Sequence, residues 1–89
     1  MTRSLAAELA PKIRVNAIAP SLTDTNLAKT LLSDDGKRSA AAARHPLKRF
    51  GSAADIAAAA TFLLEDSSSW ITGQVLAVDG GMGALRTFK

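Results

Sequence analysis

Hydroxyl and carboxylate side chains cluster in one short stretch, directly after an apolar run. Residues 13–19 are rich in Ile, Val and Ala, and they are followed by Pro20 and then by Ser21, Thr23, Asp24 and Thr25. Free backbone N–H groups beside hydroxyls suit an amide or a phosphate, because N–H groups donate to carbonyls and anions while hydroxyls both donate and accept. The last three of these residues are also good helix N-caps. Residues 20–25 are therefore a candidate ligand segment, with simple capping as the alternative.

Other combinations of reactive side chains are weaker. Ser21, Asp24 and His45 have the types of a hydrolase triad, but no Gly-x-Ser-x-Gly turn surrounds the serine. We expect His45, next to Pro46, at the surface. Adjacent Asp34 and Asp35 point apart and predict a helix stop. One histidine and no cysteine argue against a transition-metal site, so we predict no metal ligands.

Length, composition and charge limit the class of protein. The chain has 89 residues, 47% of them hydrophobic, which fits one small globular unit with a marginal core. The net charge of +3 is spread along the chain and aromatics are only 4% of residues, so we expect no nucleic-acid binding. No apolar run reaches a membrane span, and the N-terminus lacks a signal-peptide pattern. Without cysteines nothing indicates an oxidising compartment, and we expect a cytoplasmic protein.

Two apolar segments predict strands. Residues 13–19 carry apolar side chains on both faces, which is typical of a parallel strand covered on each side, and Pro20 should end its ladder. Residues 74–79 predict a second such strand, ended by Gly80 and Gly81. Trp70 is expected to anchor the start of that strand by packing.

Four helices are predicted around these strands. The first covers residues 1–10 and ends at Pro11; the second starts at Thr23 or Asp24; the third covers residues 37–44; the fourth begins after Ser52. The Ser-x-x-Asp pattern of Ser52 and Asp55 predicts a capping box for the fourth helix. A strand, a helical excursion and a second strand predict two parallel strands with a right-handed crossover, hence an α/β fold.

Three segments resemble the C-terminal part of short-chain dehydrogenase/reductases: "IRVNAIAPSLTDT", "RFGSAADIAAAATFLL" and "WITGQVLAVDGG". They occur in the family's order and cover nearly the whole chain. The resemblance implies that residues 1–89 are the C-terminal portion of one Rossmann-type doubly wound parallel sheet, with two strands and about four helices. The two strands would be the last two of that sheet.

The resemblance also implies site residues. The segment after the first strand would meet the nicotinamide end of NAD or NADP, with cofactor contacts from Pro20, Ser21, Leu22 and Thr25. Ser21 stands where the family usually has glycine. The helical excursion would form the substrate lid, with Leu27 and Leu31 as candidates to face an apolar substrate.

The family's proton-donating tyrosine has no counterpart, because the chain contains no tyrosine. "GGMG" after the second strand is expected to be a turn rather than a phosphate-binding loop. We therefore expect no catalytic residues here: the chain would belong to an NAD(P)-dependent oxidoreductase of carbonyl or alcohol substrates and be inactive alone. A homo-oligomer is expected by resemblance. The alternative is a non-catalytic oligomerisation or interaction module of the same fold.

Overall fold

A computed structural model describes residues 1–21, 23–24 and 34–86 of the chain. In chain order its helices are α1 (Thr2–Leu9), α2 (Asp35–Arg44) and α3 (Ala53–Leu64), with a 3-10 turn at Asp66–Ser68. Its strands are β1 (Ala17–Pro20), β2 (Thr23–Asp24), β3 (Gly51–Ser52) and β4 (Val75–Val78). This confirms the α/β fold.

Strands β1 and β4 form the parallel pair that the sequence predicts. Ala17 is in register with Val75, and Pro20 with Val78. The strand is shorter than the predicted 13–19, although the pairing extends backwards through a bond from Gly73 N to Val15 O of 2.7 Å. Pro20 belongs to the strand as its last residue, a position where the missing N–H is tolerated. Both strands therefore end together, at Pro20 and Val78.

A second, very short parallel pair was not predicted. Thr23 pairs with Gly51, and Asp24 with Ser52. Thr23 and Asp24 are extended, so neither is part of a helix, and the remainder of the predicted second helix lies outside the described residues. The predicted lid residues beyond them, including Leu27 and Leu31, lie outside the described residues. The pair ties the segment after β1 to the start of α3.

Arg14 fixes the entry into β1. Its guanidinium donates to the carbonyl oxygens of Leu63 at 2.8 Å, Ser68 at 3.0 Å and Ile71 at 3.1 Å. These three carbonyls belong to the end of α3 and the connection to β4. A planar guanidinium can satisfy several acceptors at once, so one side chain links both strand entries to the helix.

Local sequence signals explain the helix starts. The side chain of Asp34 accepts from Lys37 N at 2.7 Å and caps α2. Asp34 and Asp35 therefore start a helix, which corrects their interpretation as a helix stop: a carboxylate before the first turn satisfies free N–H groups. The predicted capping box of Ser52 and Asp55 at α3 is confirmed.

The chain buries few apolar side chains. Among the described residues, the buried ones are Ala6, Ala41, His45 and Ser68. Trp70 is 98% exposed, so its predicted role as a packing anchor within this chain is wrong. Val75 and Leu76 of β4 are exposed as well, which shows that the two-sided cover expected for this strand does not come from the described part of the chain.

Candidate functional site

The carboxyl ends of β1 and β4 carry the polar groups that could bind a ligand. The Ser21 Oγ lies 2.9 Å from His45 Nε2, and the Thr23 hydroxyl donates to Ser21 O at 3.0 Å. Ser21 also lies 3.5 Å from the sulfur of Met82. Ser21 is thus held from three directions immediately after the last residue of β1.

His45 is the centre of this arrangement, and the expectation that it lies at the surface is wrong. It is 2% exposed and caps the C-terminus of α2. Its Nδ1 lies 2.7 Å from Ala41 O. A carbonyl oxygen can only accept, so Nδ1 carries a hydrogen, and in the tautomer with a hydrogen on Nδ1 alone Nε2 accepts the Ser21 hydroxyl. Burial is tolerated because both ring nitrogens have partners.

The turn after β4 completes the arrangement. The Asp79 carboxylate accepts from Gly81 N and Gly83 N, each at 3.0 Å. Gly80 and Gly81 have φ of +62° and +87°, a conformation that glycine adopts without a Cβ penalty. Gly80 O accepts from Leu47 N at 3.1 Å. "GGMG" is therefore a turn, as predicted, and its Gly81 and Gly83 N–H groups already bind a carboxylate.

We call the group formed by Ser21, His45, the Ala41 carbonyl and the turn 79–83 the strand-end cluster. It borders a cavity of about 370 Å³. The cavity is also lined by Leu47, Arg49, Gly51, Asp55, Ala58, Ala77 and Val78. Apolar walls with a few polar groups at one end are typical of small-molecule sites.

An ion pair stands at the cavity wall. Arg49 binds the Asp55 carboxylate through two bonds of 2.8 and 3.2 Å. The same carboxylate accepts from the backbone N–H and hydroxyl of Ser52. The bond from Arg49, followed by those from Ser52, holds the pKa of Asp55 well below its usual range. Asp55 is therefore an anionic anchor rather than an acid or a base near neutral pH.

The structure describes only part of the predicted site. Pro20 and Ser21 lie at the strand end, while Leu22 and Thr25 lie outside the described residues. Ser21 and His45 of the hydrolase combination are in contact, and the position that an acid occupies next to such a histidine is taken by the Ala41 carbonyl. Within the described ranges, no three His, Asp or Glu side chains are placed to share a metal ion. No helix described there is long and apolar enough to cross a membrane.

His45 and the pair of Arg49 with Asp55 were missed as site residues. His45 is 24 positions from Ser21, and local spacing does not indicate a contact over that separation. The capping box at Ser52 and Asp55 was visible, and an arginine just before such a box was the available signal for the ion pair. The contact of His45 depends instead on where α2 ends relative to β1.

Parallel strands joined by a helical excursion, with a cavity at their carboxyl ends, define part of an open α/β domain, and in such domains ligands bind at this edge of the sheet. Residues 1–83 match the family model described as enoyl-(acyl carrier protein) reductase. The chain belongs to the short-chain dehydrogenase/reductase family.

Known proteins resemble the chain over most of its length. The short-chain dehydrogenase/reductase SDRA of Arabidopsis thaliana is 45% identical over 82 residues, which are 92% of this chain and 32% of that protein. A solved protein of Agrobacterium tumefaciens with bound NADP is 42% identical with a TM-score of 0.85, covering 94% of this chain and 35% of its own. The structure of a 4-hydroxyisoleucine dehydrogenase mutant with NADH and succinate is 30% identical with a TM-score of 0.86, covering 97% and 36%. The chain thus spans about a third of the proteins that it matches.

Proposed function

We propose that this chain supplies the nicotinamide end of the cofactor site in an NAD- or NADP-dependent oxidoreductase. The observation that carries the proposal is the position of Pro20, the last residue of β1, and of Ser21 directly after it, at the carboxyl ends of β1 and β4, where open α/β sheets bind ligands. Leu22 and Thr25 are proposed as further cofactor contacts. The solved neighbours that contain NADP and NADH support a nicotinamide cofactor.

The residues at the cavity fit one end of such a cofactor. Its volume of about 370 Å³ lies near the lower end of the range for ligand pockets, about 300–1,000 Å³. Ala58, Ala77 and Val78 offer apolar walls to a flat ring, and the Ser21 hydroxyl offers a polar contact to an amide. The chemistry that a bound nicotinamide would supply is hydride transfer to a carbonyl or from an alcohol. This chain's residues bind and orient that group.

The proton-transfer chemistry must then come from elsewhere. The resemblance implies a tyrosine proton donor, and this chain has none. We therefore propose that residues 1–89 act as the C-terminal portion of a larger oxidoreductase domain, with a small carbonyl or alcohol as substrate, and that the isolated chain is inactive. Leu27 and Leu31 are proposed as parts of the substrate lid. A cytoplasmic location belongs to the same proposal.

Two threonine variants test the cofactor segment. They are made in the intact gene product, by which we mean the larger oxidoreductase proposed above to contain residues 1–89. Thr25→Ala should weaken binding of NADH or NADPH by about 1–2 kcal/mol, the scale of one hydrogen bond to a polar or charged group. Thr23→Ala is the matched control, because its hydroxyl donates to Ser21 O within the chain and should cost less affinity. Fluorescence titration of the reduced cofactor gives both affinities. Equal affinities for wild type and Thr25→Ala would assign Thr25 to helix capping alone.

The second candidate function is an oligomerisation or interaction module. Its supporting observation is the exposure of Trp70, Leu64 and Val75, at 98%, 83% and 59%. Large exposed apolar side chains mark surfaces that another protein segment can cover. Absence of any nicotinamide dinucleotide binding by the intact gene product, together with self-association that Trp70→Ser abolishes, would favour this function over the first.

A further inference from the structure

The hydrogen bonds of the buried His45 ring bear on how Ser21 can bind a ligand in the candidate site. Its ring nitrogens have two different partners, Ala41 O at 2.7 Å and Ser21 Oγ at 2.9 Å. The Ala41 carbonyl fixes the hydrogen on Nδ1, which leaves Nε2 of the neutral ring with a lone pair. Since a hydroxyl has one hydrogen, the hydrogen of Ser21 is then committed to His45.

The other close neighbour of the hydroxyl does not compete for this hydrogen. Met82 Sδ lies 3.5 Å from Ser21 Oγ, and a thioether is only a weak acceptor. An imidazole nitrogen is much stronger. With its hydrogen directed at His45, the Ser21 oxygen can offer only lone pairs to a molecule in the cavity that both residues line.

We propose that His45 is a positioning residue that makes the Ser21 hydroxyl a hydrogen-bond acceptor towards the ligand. The site would then select a ligand group that donates an N–H or O–H at this point, and a bare carbonyl oxygen would be disfavoured there. The ligand part rests on the proposed function, in which the group beside Ser21 is the carboxamide of nicotinamide. Its NH2 is the donor that Ser21 would accept.

The packing around His45 also keeps the Ser21 hydroxyl hydrogen directed at the imidazole. His45 is the C-cap of α2, and its neighbour Leu47 is bonded to the turn after β4. The imidazole therefore cannot rotate away from Ser21 without disturbing both its bond to Ala41 and the packing of this turn. A ligand that needs a donor from Ser21 would have to break an existing hydrogen bond.

The first test needs no ligand. Nitrogen-15 NMR of the imidazole in the intact gene product distinguishes the two neutral tautomers and the doubly protonated ring. We expect His45 to carry its hydrogen on Nδ1 at neutral pH, and to lose the shift signature of a hydrogen-bonded Nε2 in Ser21→Ala. A ring protonated at Nε2, alone or together with Nδ1, overturns the proposal whatever the protein binds.

The second test compares two cofactor probes that differ in the donor alone. NADH, or NADPH if that form binds, is titrated against the same dinucleotide with 3-acetylpyridine in place of nicotinamide, in which a methyl group replaces NH2. Wild type should prefer the amide by about fivefold, the scale of one hydrogen bond. In Ser21→Ala and in His45→Asn, which keeps only the Nδ1-side contact, the preference should fall towards one.

Met82→Leu is the matched control, because it removes the sulfur beside Ser21 at nearly constant volume and should leave the preference unchanged. If wild type binds both probes equally, or if Ser21→Ala keeps the wild-type preference, this inference is overturned while the proposed function stands. If wild type binds neither probe, the proposed function fails too.

Discussion

The strand-end cluster and the sheet differ in how far contacts within the chain pair their polar groups and cover their apolar side chains. In the cluster, His45 is buried with both ring nitrogens bonded, and Asp79 is bonded to two backbone N–H groups. Within the described residues, no buried side-chain nitrogen or oxygen lacks a partner. At the sheet, by contrast, Val75 and Leu76 are 59% and 38% exposed.

This difference indicates which part of the site the chain builds for itself. Buried polar groups are costly unless paired, so the complete pairing of the cluster indicates a geometry that contacts within this chain determine. Exposed apolar side chains on a strand of a two-stranded sheet lose the burial energy that normally stabilises such an element. The contacts of the cluster thus lie within the chain, whereas the described residues leave apolar side chains of the sheet exposed.

The largest expected effect concerns activity. We expect the purified 89-residue chain to show no oxidation or reduction of any carbonyl or alcohol with either nicotinamide cofactor, because it has no tyrosine to move the proton. Absorbance of the reduced cofactor measures turnover, with a heat-treated sample as the background. Turnover above that background would show that the cluster does chemistry as well as binding.

The next effect concerns the uncovered sheet. We expect the isolated chain not to be a stable monomer, because an apolar strand edge and face without cover favour association or partial unfolding. Sedimentation at micromolar concentration and thermal unfolding measure this. A single monomeric species with a sharp unfolding transition would contradict this expectation, since the exposed sheet would then be stable without a partner.

A smaller loss is expected at the entry into the two strands, where Arg14 binds three carbonyl oxygens. Arg14→Met should destabilise the intact gene product by about 2–3 kcal/mol, because three carbonyl oxygens lose a charged donor. Arg14→Lys should cost less, since an ammonium reaches some of these acceptors but lacks the planar fork. Lys12→Met removes the same charge at an exposed position and serves as the control for denaturant unfolding. Equal losses for Arg14→Met and Lys12→Met would mean that charge, and not the carbonyl bonds, is responsible.

Sequence patterns predicted the elements whose causes are local. The capping box at Ser52 and the end of α1 before Pro11 follow from residues within one helical turn. The parallel pairing of β1 with β4 followed from the order of apolar segments, because helical crossovers connect parallel strands. The family resemblance was visible in three motifs.

Sequence patterns gave wrong predictions for side chains whose surroundings depend on residues distant in the chain. His45 looks like a surface residue because its neighbours are basic and proline residues, yet Ser21 and Ala41 enclose it in polar contacts. Trp70 looks like a core residue, because hydrophobicity predicts that a side chain should be covered but not which atoms cover it. The proposed role of the Ser21 hydroxyl as an acceptor likewise depends on its contact with His45, which no local sequence pattern indicates.

The smallest expected effect concerns the wall of the cavity. Ser52→Ala should destabilise the intact gene product by about 1 kcal/mol, the usual cost of losing an N-cap side chain. Its hydroxyl caps Asp55 N at 3.2 Å and also donates to the Asp55 carboxylate at 3.0 Å. Ser67→Ala is the control, because its exposed hydroxyl makes only a 3.4 Å contact with Glu65.

The Asp55 carboxylate at the same wall makes the stability of the fold depend on pH. The pKa of Asp55 is lower in the folded chain than in an unfolded one, where it is about 3.9. The ionised carboxylate therefore stabilises the fold above about pH 4, and this contribution declines as the pH falls below that value towards the folded pKa. Asp55→Asn should remove this part of the acid dependence in urea unfolding between about pH 2 and 6, while Asp66→Asn, an exposed control, should keep it. If both variants lose stability in acid as steeply as wild type, the ion pair with Arg49 is not what holds the cavity wall.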